Sequence, residues 1–346
     1  MTKIIRVGLD TSKRVFQVHA VDDAERPVHR RKLMRDQVVG FFKQLPPTLI
    51  GLEACGASHY WGRVLRSLGH EVRLLPPQYV KPYVKRGKND AADAEAICEA
   101  LGRPTMRFVA IKTEQAQADL MQQSARALLV KQQTQLANAI RGHAGELGLT
   151  TAKGLGKVGP LLARIAQDQT LPETARAVFA VLAEQLEGVE NKIAQLDARL
   201  KAWHRDSALS KRLATIPGVG QKIATLIAMK VPDPQLFRSA RHFASWLGLT
   251  PKDHSTAGKT RLGVITRAGD EELRAMLVVG ATAVIQQARK GRGSYAAWLM
   301  KLLARKPPKL VAVALANKIA RIAWKLMING ESYNPNYRPQ PAAKAA

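Results

Sequence analysis

The sequence predicts a multidomain protein with an α/β layer at the front, long helices in the middle and a mainly α C-terminal part. In residues 1–112, short apolar and β-branched runs alternate with helical segments. Gln- and Ala-rich helical stretches follow in residues 113–205, and glycine turns separate helical runs in residues 206–330. A chain of 346 residues has room for two or three such domains.

The N-terminal region is predicted to contain a mixed sheet. Pro46 and Pro47 end the first amphipathic helix. Three strands, a helix and then alternating strands and helices predict both parallel and antiparallel neighbours. Apolar runs predict strands at 4–10, 15–21, 29–34, 48–53 and 71–75, and amphipathic runs predict helices at 36–45 and 59–68.

The middle region contains an apolar seam whose steps alternate between four and three residues: Leu182, Leu186, Val189, Ile193, Leu196, Leu200 and Trp203. This heptad spacing predicts a coiled-coil hairpin with a second helix at 113–141, and we expect dimer contacts through it. The buried edge of an ordinary helix produces the same spacing, so that alternative stays open.

The C-terminal region is predicted to be helical, with a last helix at 308–328 and a flexible Pro- and Ala-rich tail at 331–346. Residues 213–224 (LATIPGVGQKIA) predict a turn resembling a helix-hairpin-helix. Backbone N–H groups near Gly218 and Gly220 would bind phosphate there. A plain turn between two helices is the alternative.

The charge predicts a polyanionic partner. Lys and Arg number 54 against 27 Asp and Glu, which gives a net charge of +27. Residues 206–346 hold 23 basic and 7 acidic side chains, whereas residues 1–100 hold 17 and 11. Nucleic acid is therefore expected to be held most strongly by the C-terminal half.

Two cysteines without metal-type spacing argue against a zinc finger or a disulfide scaffold. The apolar stretches are too short to span a bilayer, and the N-terminus lacks a signal-peptide core. We therefore expect a cytoplasmic, nucleoid-associated protein without a membrane partner.

Acidic residues follow two of the predicted strands. Asp10 closes the first strand and Glu53 closes a later one, at the strand ends that commonly line a ligand crevice. If a helix opens at Asp90, Asp93 shares a face with it. Carboxylates packed together repel one another unless divalent cations neutralise them, and Mg²⁺ (or Mn²⁺) prefers such oxygen ligands.

Each acid also has a purely structural interpretation. Asp10 can begin a turn with Thr11 and Ser12. Asp90 can cap a helix, with Asp93 placed where negative charge suits the helix dipole. The four acids together, in a strongly basic chain, favour the metal-binding interpretation.

Three motifs carrying these acids resemble a known family: GLDTSK (8–13), GLEACG (51–56) and KNDAADAEAI (88–97). They are similar to the RuvC-like DEDD domain of bridge-RNA-guided transposases of insertion-sequence family one-hundred-ten. The resemblance implies an RNase H-like fold. It also implies that metal ions are held by Asp10, Glu53, Asp90 and Asp93.

A serine lies in a basic, glycine-flanked segment further along the chain. Ser255 is followed by Lys259, Arg261 and Arg267, which can hold a phosphate. Serine is a weak nucleophile that needs a base or metal, and adjacent His254 is a weak candidate base. From the residues alone, a phosphate contact or a turn is the more common role of such a serine.

The C-terminal motifs WLGLTP (246–251), HSTAGKTRLG (254–263), ITRAGDEELR (265–274) and ALANKIARIAWKL (314–326) resemble the same transposases. The resemblance implies that Ser255 is a nucleophile that forms a phosphoserine link to DNA, although Ala257 replaces a common glycine. It further implies a noncoding bridge RNA, donor and target DNA, and a homo-oligomer (a dimer, or a tetramer on DNA) whose protomers share the site.

Two alternatives remain at this point. A junction-resolving endonuclease would use the same carboxylates with water as nucleophile, and Ser255 would only contact phosphate. A non-catalytic nucleic-acid-binding scaffold would leave the four acids without a role.

Overall fold

The computed structural model describes residues 3–85, 89–256, 258–293 and 295–335. The chain divides into two compact units: unit 1 is Met1–Gln117 with Pro232–Arg238, and unit 2 is Ala118–Val231 with Ser239–Ala346. The predicted α/β layer followed by a mostly helical remainder is confirmed. No described helix combines the length and the apolar character needed to cross a membrane.

Unit 1 is built on a five-stranded sheet with the order β3-β2-β1-β4-β5. Strand β2 is antiparallel to both of its neighbours, β1 and β3, whereas β1, β4 and β5 run parallel, so the sheet is mixed as predicted. Its elements are β1 (Ile4–Thr11), β2 (Val15–Asp22), β3 (Pro27–Met34), α1 (Gln37–Lys43), β4 (Leu49–Glu53), α2 (Ser58–Ser67), β5 (Glu71–Leu75), α3 (Pro77–Val80) and α4 (Asp90–Leu101).

The two faces of this sheet are covered differently. Alternation along β1 sends Val7 and Leu9 to one face, where they are fully buried in a core with Phe42 of α1 and Trp61 of α2. Glycine occupies the opposite face at Gly8, and α4 packs there. The sheet is thus sandwiched between α1 with α2 on one side and α4 on the other.

Unit 2 consists mainly of helices: most of α5 (Glu114–Glu146), then α6 (Val158–Gln167), α7 (Glu173–Asp206), α8 (Ala208–Leu213), α9 (Gln221–Lys230), α10 (Ala240–Trp246), α11 (Glu271–Arg289), α12 (Ala296–Leu303) and α13 (Pro308–Asn329). A two-stranded hairpin, β6 (Pro251–Asp253) with β7 (Leu262–Ile265), interrupts them. The sequence did not predict this hairpin, because its strands are short and mostly exposed.

The long helices α5 and α7 pair in opposite directions. Three side-chain contacts define the pairing: Trp203 with Asp119, Asp197 with Arg126, and Glu190 with Gln133. Two steps of seven residues along α5 match steps of six and then seven residues along α7, in the reverse direction. The predicted seam of α7 is its buried or half-buried face. Supercoiling and dimerisation through this pair stay predictions.

The C-terminal helices α11 and α13 pack against each other, and Leu277, Ala281, Leu315 and Ile319 contribute to the buried interior of unit 2. Of the predicted tail, residues 331–335 are described. The Tyr333 N–H donates to Thr215 Oγ1 at 3.0 Å. Residues 336–346 lie outside the described residues.

Candidate functional site

Two of the acids lie side by side at one edge of the sheet. Strands β1 and β4 are parallel neighbours, and their last paired residues are Leu9 and Leu52. Asp10 and Glu53 each come directly after that pair. Because parallel strands place their carboxyl ends at the same edge, the register alone brings these two residues together.

Helix α4 brings the other two acids to the same edge. At Gly8 a Cβ atom would lie 2.1 Å from the Ala94 carbonyl oxygen, so helix and strand backbones are in direct contact. Nearer the start of the strand, the Arg6 guanidinium donates to the Cys98 carbonyl at 2.9 Å. The helix therefore runs antiparallel to β1, and its first turn, with Asp90 and Asp93, lies toward Asp10.

The electrostatics of this edge follow from crowding of like charges. Burial raises the pKa of Asp10 to about 6, and the neighbouring carboxylates of Asp93, Asp90 and Glu53 contribute in the same direction. Burial and Asp93 also raise the pKa of Glu53. Glu53 and Asp93 line a common cavity of about 290 Å³ together with Lys81. All four predicted acids thus contribute to one negative field.

Asp90 and Asp93 do lie in the first turn of α4, where negative charge suits the helix dipole, but other residues perform the capping and turn roles considered for these acids. The side chain of Asn89 caps α4 by accepting from the Ala92 N–H at 2.8 Å, so Asp90 is not the N-cap. After β1, Ser12 Oγ accepts from the Val15 N–H at 3.0 Å and closes the turn. Lys88, which belongs to the same motif, lies outside the described residues.

Ser255 lies in unit 2, at the end of the hairpin β6–β7. The Arg261 N–H donates to its Oγ at 3.0 Å, and the Ser255 N–H donates to Asp253 Oδ1 at 2.8 Å. The Ser255 hydroxyl also donates to this carboxylate, and these two bonds, with His254 nearby, lower the pKa of Asp253. Ser255 is exposed to solvent.

Asp253 is the residue that sequence reasoning missed. His254 was the candidate base, but its ring lies against Gly263, about 3.4 Å from where a Cβ would be. The signal was an Asp two residues before a Ser, a spacing that lets the carboxylate accept from the serine backbone and side chain. Ala257 lies outside the described residues.

Comparison with known proteins adds an independent observation. Residues 210–296 match the family model described as "Transposase IS116/IS110/IS902 family", and residues 7–147 match the DEDD model of IS110 transposases. The chain is 61% identical to "Putative transposase y4pF/y4sB" of Sinorhizobium fredii, over 96% of this chain and 86% of the relative.

Two further relatives match over almost their whole length. The chain is 46% identical to "Probable family 20 transposase" of Pseudomonas aeruginosa, over 95% of this chain and 98% of the relative. It is 34% identical to "Transposase for insertion sequence element IS1328" of Yersinia enterocolitica, over 96% and 100%. The chain belongs to the IS110 family of transposases. It is therefore a DNA transposase of an insertion sequence.

Membership of a DEDD transposase family implies the use of a divalent metal ion. The donor chemistry fits, because Asp10, Glu53, Asp90 and Asp93 supply hard oxygen ligands whose repulsion a cation would relieve. Within the described ranges, no three Asp, Glu, His or Cys side chains form a group that could hold a metal ion.

The cations predicted to bind nucleic acid lie on the hairpin that carries Ser255 and in the segment that follows it. Lys259 and Arg261 are exposed on the hairpin, and Lys259 pairs with Thr256 across its tip. Arg267 is exposed in the segment that follows, with φ +56. This left-handed conformation is uncommon for a residue with a side chain and costs roughly 1 kcal/mol or more, so it marks a position where function can outweigh strain.

The two glycines of the IPGVG turn differ in their surroundings. Gly218 has φ +86, and a Cβ there would lie 3.0 Å from the Gly280 carbonyl of α11, so packing requires glycine. Gly220 is exposed and precedes α9 as its N-cap. The chain thus forms a helix–turn–helix at α8–α9, and phosphate binding by this turn stays a prediction.

Proposed function

We propose that this transposase cuts and rejoins DNA with Ser255 as nucleophile, assisted by Mg²⁺ (or Mn²⁺) held by Asp10, Glu53, Asp90 and Asp93. One observation carries the proposal: four acids from three separate segments contribute to one negative field at the carboxyl edge of the sheet. A bound divalent ion would supply charge neutralisation and polarise the scissile phosphate.

Transfer of the DNA phosphate to Ser255 exchanges one phosphate ester for another and needs no external energy source. The Ser255 oxygen forms a bond to phosphorus, the bond from phosphorus to one sugar oxygen breaks, and that oxygen leaves with a proton as a free hydroxyl. Asp253 accepts the hydrogen bond of the serine hydroxyl and orients it. The phosphoserine ester keeps the energy of the broken bond, so a second DNA hydroxyl can reverse the step and join a new partner strand.

The fold supports an RNase H-like assignment for unit 1, since its mixed sheet places the acids at the ends of neighbouring parallel strands. The acids belong to unit 1 and Ser255 belongs to unit 2. We propose that protomers of a homo-oligomer share these two parts, with the α5–α7 pair as the dimer contact.

We also propose that a bridge RNA guides the transposase to its DNA. The family resemblance of the motifs supports it, and the net charge of +27 suits RNA as well as DNA. Sequencing of RNA that copurifies with the full chain tests it. A discrete RNA encoded beside the transposase gene is the expected result, and only random cellular RNA would contradict guidance.

Trapping the reaction on end-labelled DNA tests the nucleophile. Wild type should yield a protein-linked DNA strand, and Ser255→Ala should yield none. If both release free strands by hydrolysis, the protein is a metal-dependent nuclease that uses water. Asp10→Asn or Asp93→Asn should lose cleavage while retaining DNA binding. Full activity of either variant would remove that residue from the site, and full activity of both would favour a non-catalytic scaffold.

A further inference from the structure

The motif ALANKIARIAWKL, residues 314–326, has no part in the chemistry proposed above. It forms most of α13, and the exposed side of this helix borders a groove of about 950 Å³ within unit 2. Helix α12 contributes to the groove, and residues 331–335 line it as well. The groove is therefore formed mainly by three segments that follow one another closely in sequence, and Ala240 of α10 also lines it.

Aromatic rings form one side of this groove. Trp298 of α12 is a large aromatic side chain with 38% of its surface exposed. The Lys318 ammonium lies 4.7 Å from the Trp298 ring centre and 4.9 Å from that of Tyr295. Tyr333 lies edge-on to Tyr295, with ring centres 6.3 Å apart. Cation–π contact fixes the rings and leaves part of Trp298 open to the groove.

Cations also line the groove. Lys318, Arg321 and Lys325 follow one another at steps of three and four, so they share one face of α13. Within the described residues, no ion pair involves any of the three. Glu331 is the single carboxylate among the described lining residues. The groove is therefore positively charged and open to an anionic occupant.

The spacing of these cations fits a phosphate backbone. Lys318 and Lys325 are seven residues apart, which corresponds to about 10 Å along a helix. The row is therefore long enough to contact the phosphates of more than one nucleotide of an unpaired strand. An aromatic surface beside such a row can stack only bases that are unpaired.

We propose that this groove binds a short unpaired segment of DNA, with a base stacked on Trp298 and phosphates along Arg321 and Lys325. The occupant is DNA because the protein is a DNA transposase, and strand cutting exposes unpaired DNA. The proposal does not depend on Ser255 or the acids, since it concerns binding in unit 2 without chemistry.

Charge disfavours the two other occupants that the chain itself offers. Residues 336–346 contain Arg338 and Lys344 and no acidic residue, so they carry the same sign as the groove. A second copy carries a net charge of +27. Either occupant would add positive charge to a positively charged groove, whereas a polynucleotide would neutralise the charge of the groove.

Photo-crosslinking locates the binding site on the full chain. A short oligothymidylate carrying 5-iododeoxyuridine is irradiated with the protein in EDTA, which prevents cleavage, and the linked peptides are mapped by mass spectrometry. Cross-links on peptides that contain Trp298 or Tyr333 are expected. Cross-links confined to other peptides would overturn the proposal, and so would a preference for oligouridylate of equal length, which would make RNA the occupant.

Affinity measurements on variants complete the test, with anisotropy of the same oligonucleotide as the readout. Trp298→Ala should weaken binding about tenfold, and Trp298→Phe should restore most of it. Arg321→Ala with Lys325→Ala should reduce the salt slope by about 1.4, at about 0.7 per single-strand contact. Lys309→Ala is the matched control, an exposed cation of α13 outside the groove.

Equal losses in the Lys309 control and in the groove variants would show a diffuse charge effect and overturn the proposal. Recovery of binding only after deletion of residues 336–346 would make that segment the natural occupant. Thermal unfolding of each variant checks that it folds. These experiments measure binding and not cleavage. A negative result in the groove would therefore leave the serine mechanism unaffected, and a negative trapping experiment with Ser255→Ala would leave DNA binding in the groove unaffected.

Discussion

The acids of unit 1 and the serine of unit 2 are held in opposite ways. Asp10 and Glu53 end buried parallel strands, and α4 is fixed on the sheet by backbone contact at Gly8. Ser255 lies on a short exposed hairpin, where its polar contacts are to Asp253 and Arg261. The positions of the acids are set by contacts between residues far apart in sequence, whereas the position of Ser255 is set by residues within six positions of it.

This difference separates two kinds of functional residue. In unit 1, folding concentrates like charges that would otherwise avoid one another, and burial strengthens their mutual repulsion. In unit 2, the local sequence arranges hydrogen bonds around a nucleophile that stays accessible. Distant substitutions should therefore disturb the acids, and only nearby ones should disturb the serine.

The largest effect is expected for Gly8→Ala, which carries no charge and touches no proposed ligand. The new methyl group would meet the Ala94 carbonyl at 2.1 Å and the Cys98 nitrogen at 2.5 Å. Forcing α4 away should lower the unfolding free energy of unit 1 by about 3 kcal/mol. Moving Asp90 and Asp93 by about 1 Å should slow cleavage about a hundredfold. Denaturant unfolding and cleavage assays measure both effects.

Gly40→Ala is the matched control, because nothing lies within 4 Å of a Cβ at that position in α1. Alanine there should raise helix stability by about 0.5–1 kcal/mol and leave cleavage unchanged. If Gly8→Ala proves as harmless as Gly40→Ala, α4 does not depend on close contact with β1.

The next effect concerns the serine. Asp253→Asn keeps an oxygen that accepts from the Ser255 N–H but removes the charge that receives the hydroxyl hydrogen bond. The rate of protein–DNA link formation should fall about ten- to a hundredfold. DNA affinity should hold or rise, because a negative charge is lost. Single-turnover kinetics and filter binding measure the two quantities.

A rate for Asp253→Asn within a factor of two of wild type would show that Asp253 only shapes the turn. A matched change elsewhere in unit 2 is Asp168→Asn, whose carboxylate likewise accepts from a hydroxyl and an N–H two residues ahead. That change should leave link formation unaffected.

Sequence alone predicted that the acids would converge, but it did not predict how their surroundings bring them together. Asp10 and Glu53 were identifiable because strand ends in an α/β layer have a known direction. The antiparallel run of α4 against β1 was not identifiable, since it follows from the packing of α4 at Gly8 and the Arg6 bond to Cys98. Asn89 as the true N-cap was also missed, although asparagine is a favoured capping residue.

The hairpin was harder to predict for a different reason. Its strands have three and four residues, which is too short for an alternation of apolar and polar residues to be recognised. Two glycines that flank the hairpin allow its ends to approach each other closely. A Cβ at Gly248 would meet the Ala268 backbone, and one at Gly269 would meet the Trp246 carbonyl. Such pairing of distant backbones leaves no periodic pattern in a single sequence.

A smaller effect tests the repulsion among the acids. Without divalent ions, Asp10→Asn should unfold a few degrees higher than wild type, since it removes one of four carboxylates that repel one another. Adding Mg²⁺ should raise the melting temperature of wild type more than that of the variant. Asp36→Asn, an exposed N-cap where asparagine serves equally well, is the control. A lower melting temperature for Asp10→Asn would contradict the repulsion.

The smallest effect concerns Arg267, whose left-handed backbone belongs to the rim of the hairpin. Arg267→Gly relieves the strain and should leave the unfolding free energy within about 1 kcal/mol of wild type, whereas Arg267→Ala keeps the strain. Both remove a cation, so both should flatten the salt dependence of DNA binding by about 0.9. Equal salt slopes for wild type and both variants would place Arg267 away from DNA. Since its conformation is costly and its charge would then contact no DNA, the strain would need a purely structural explanation in the close approach of residues 246–248 to residues 267–269.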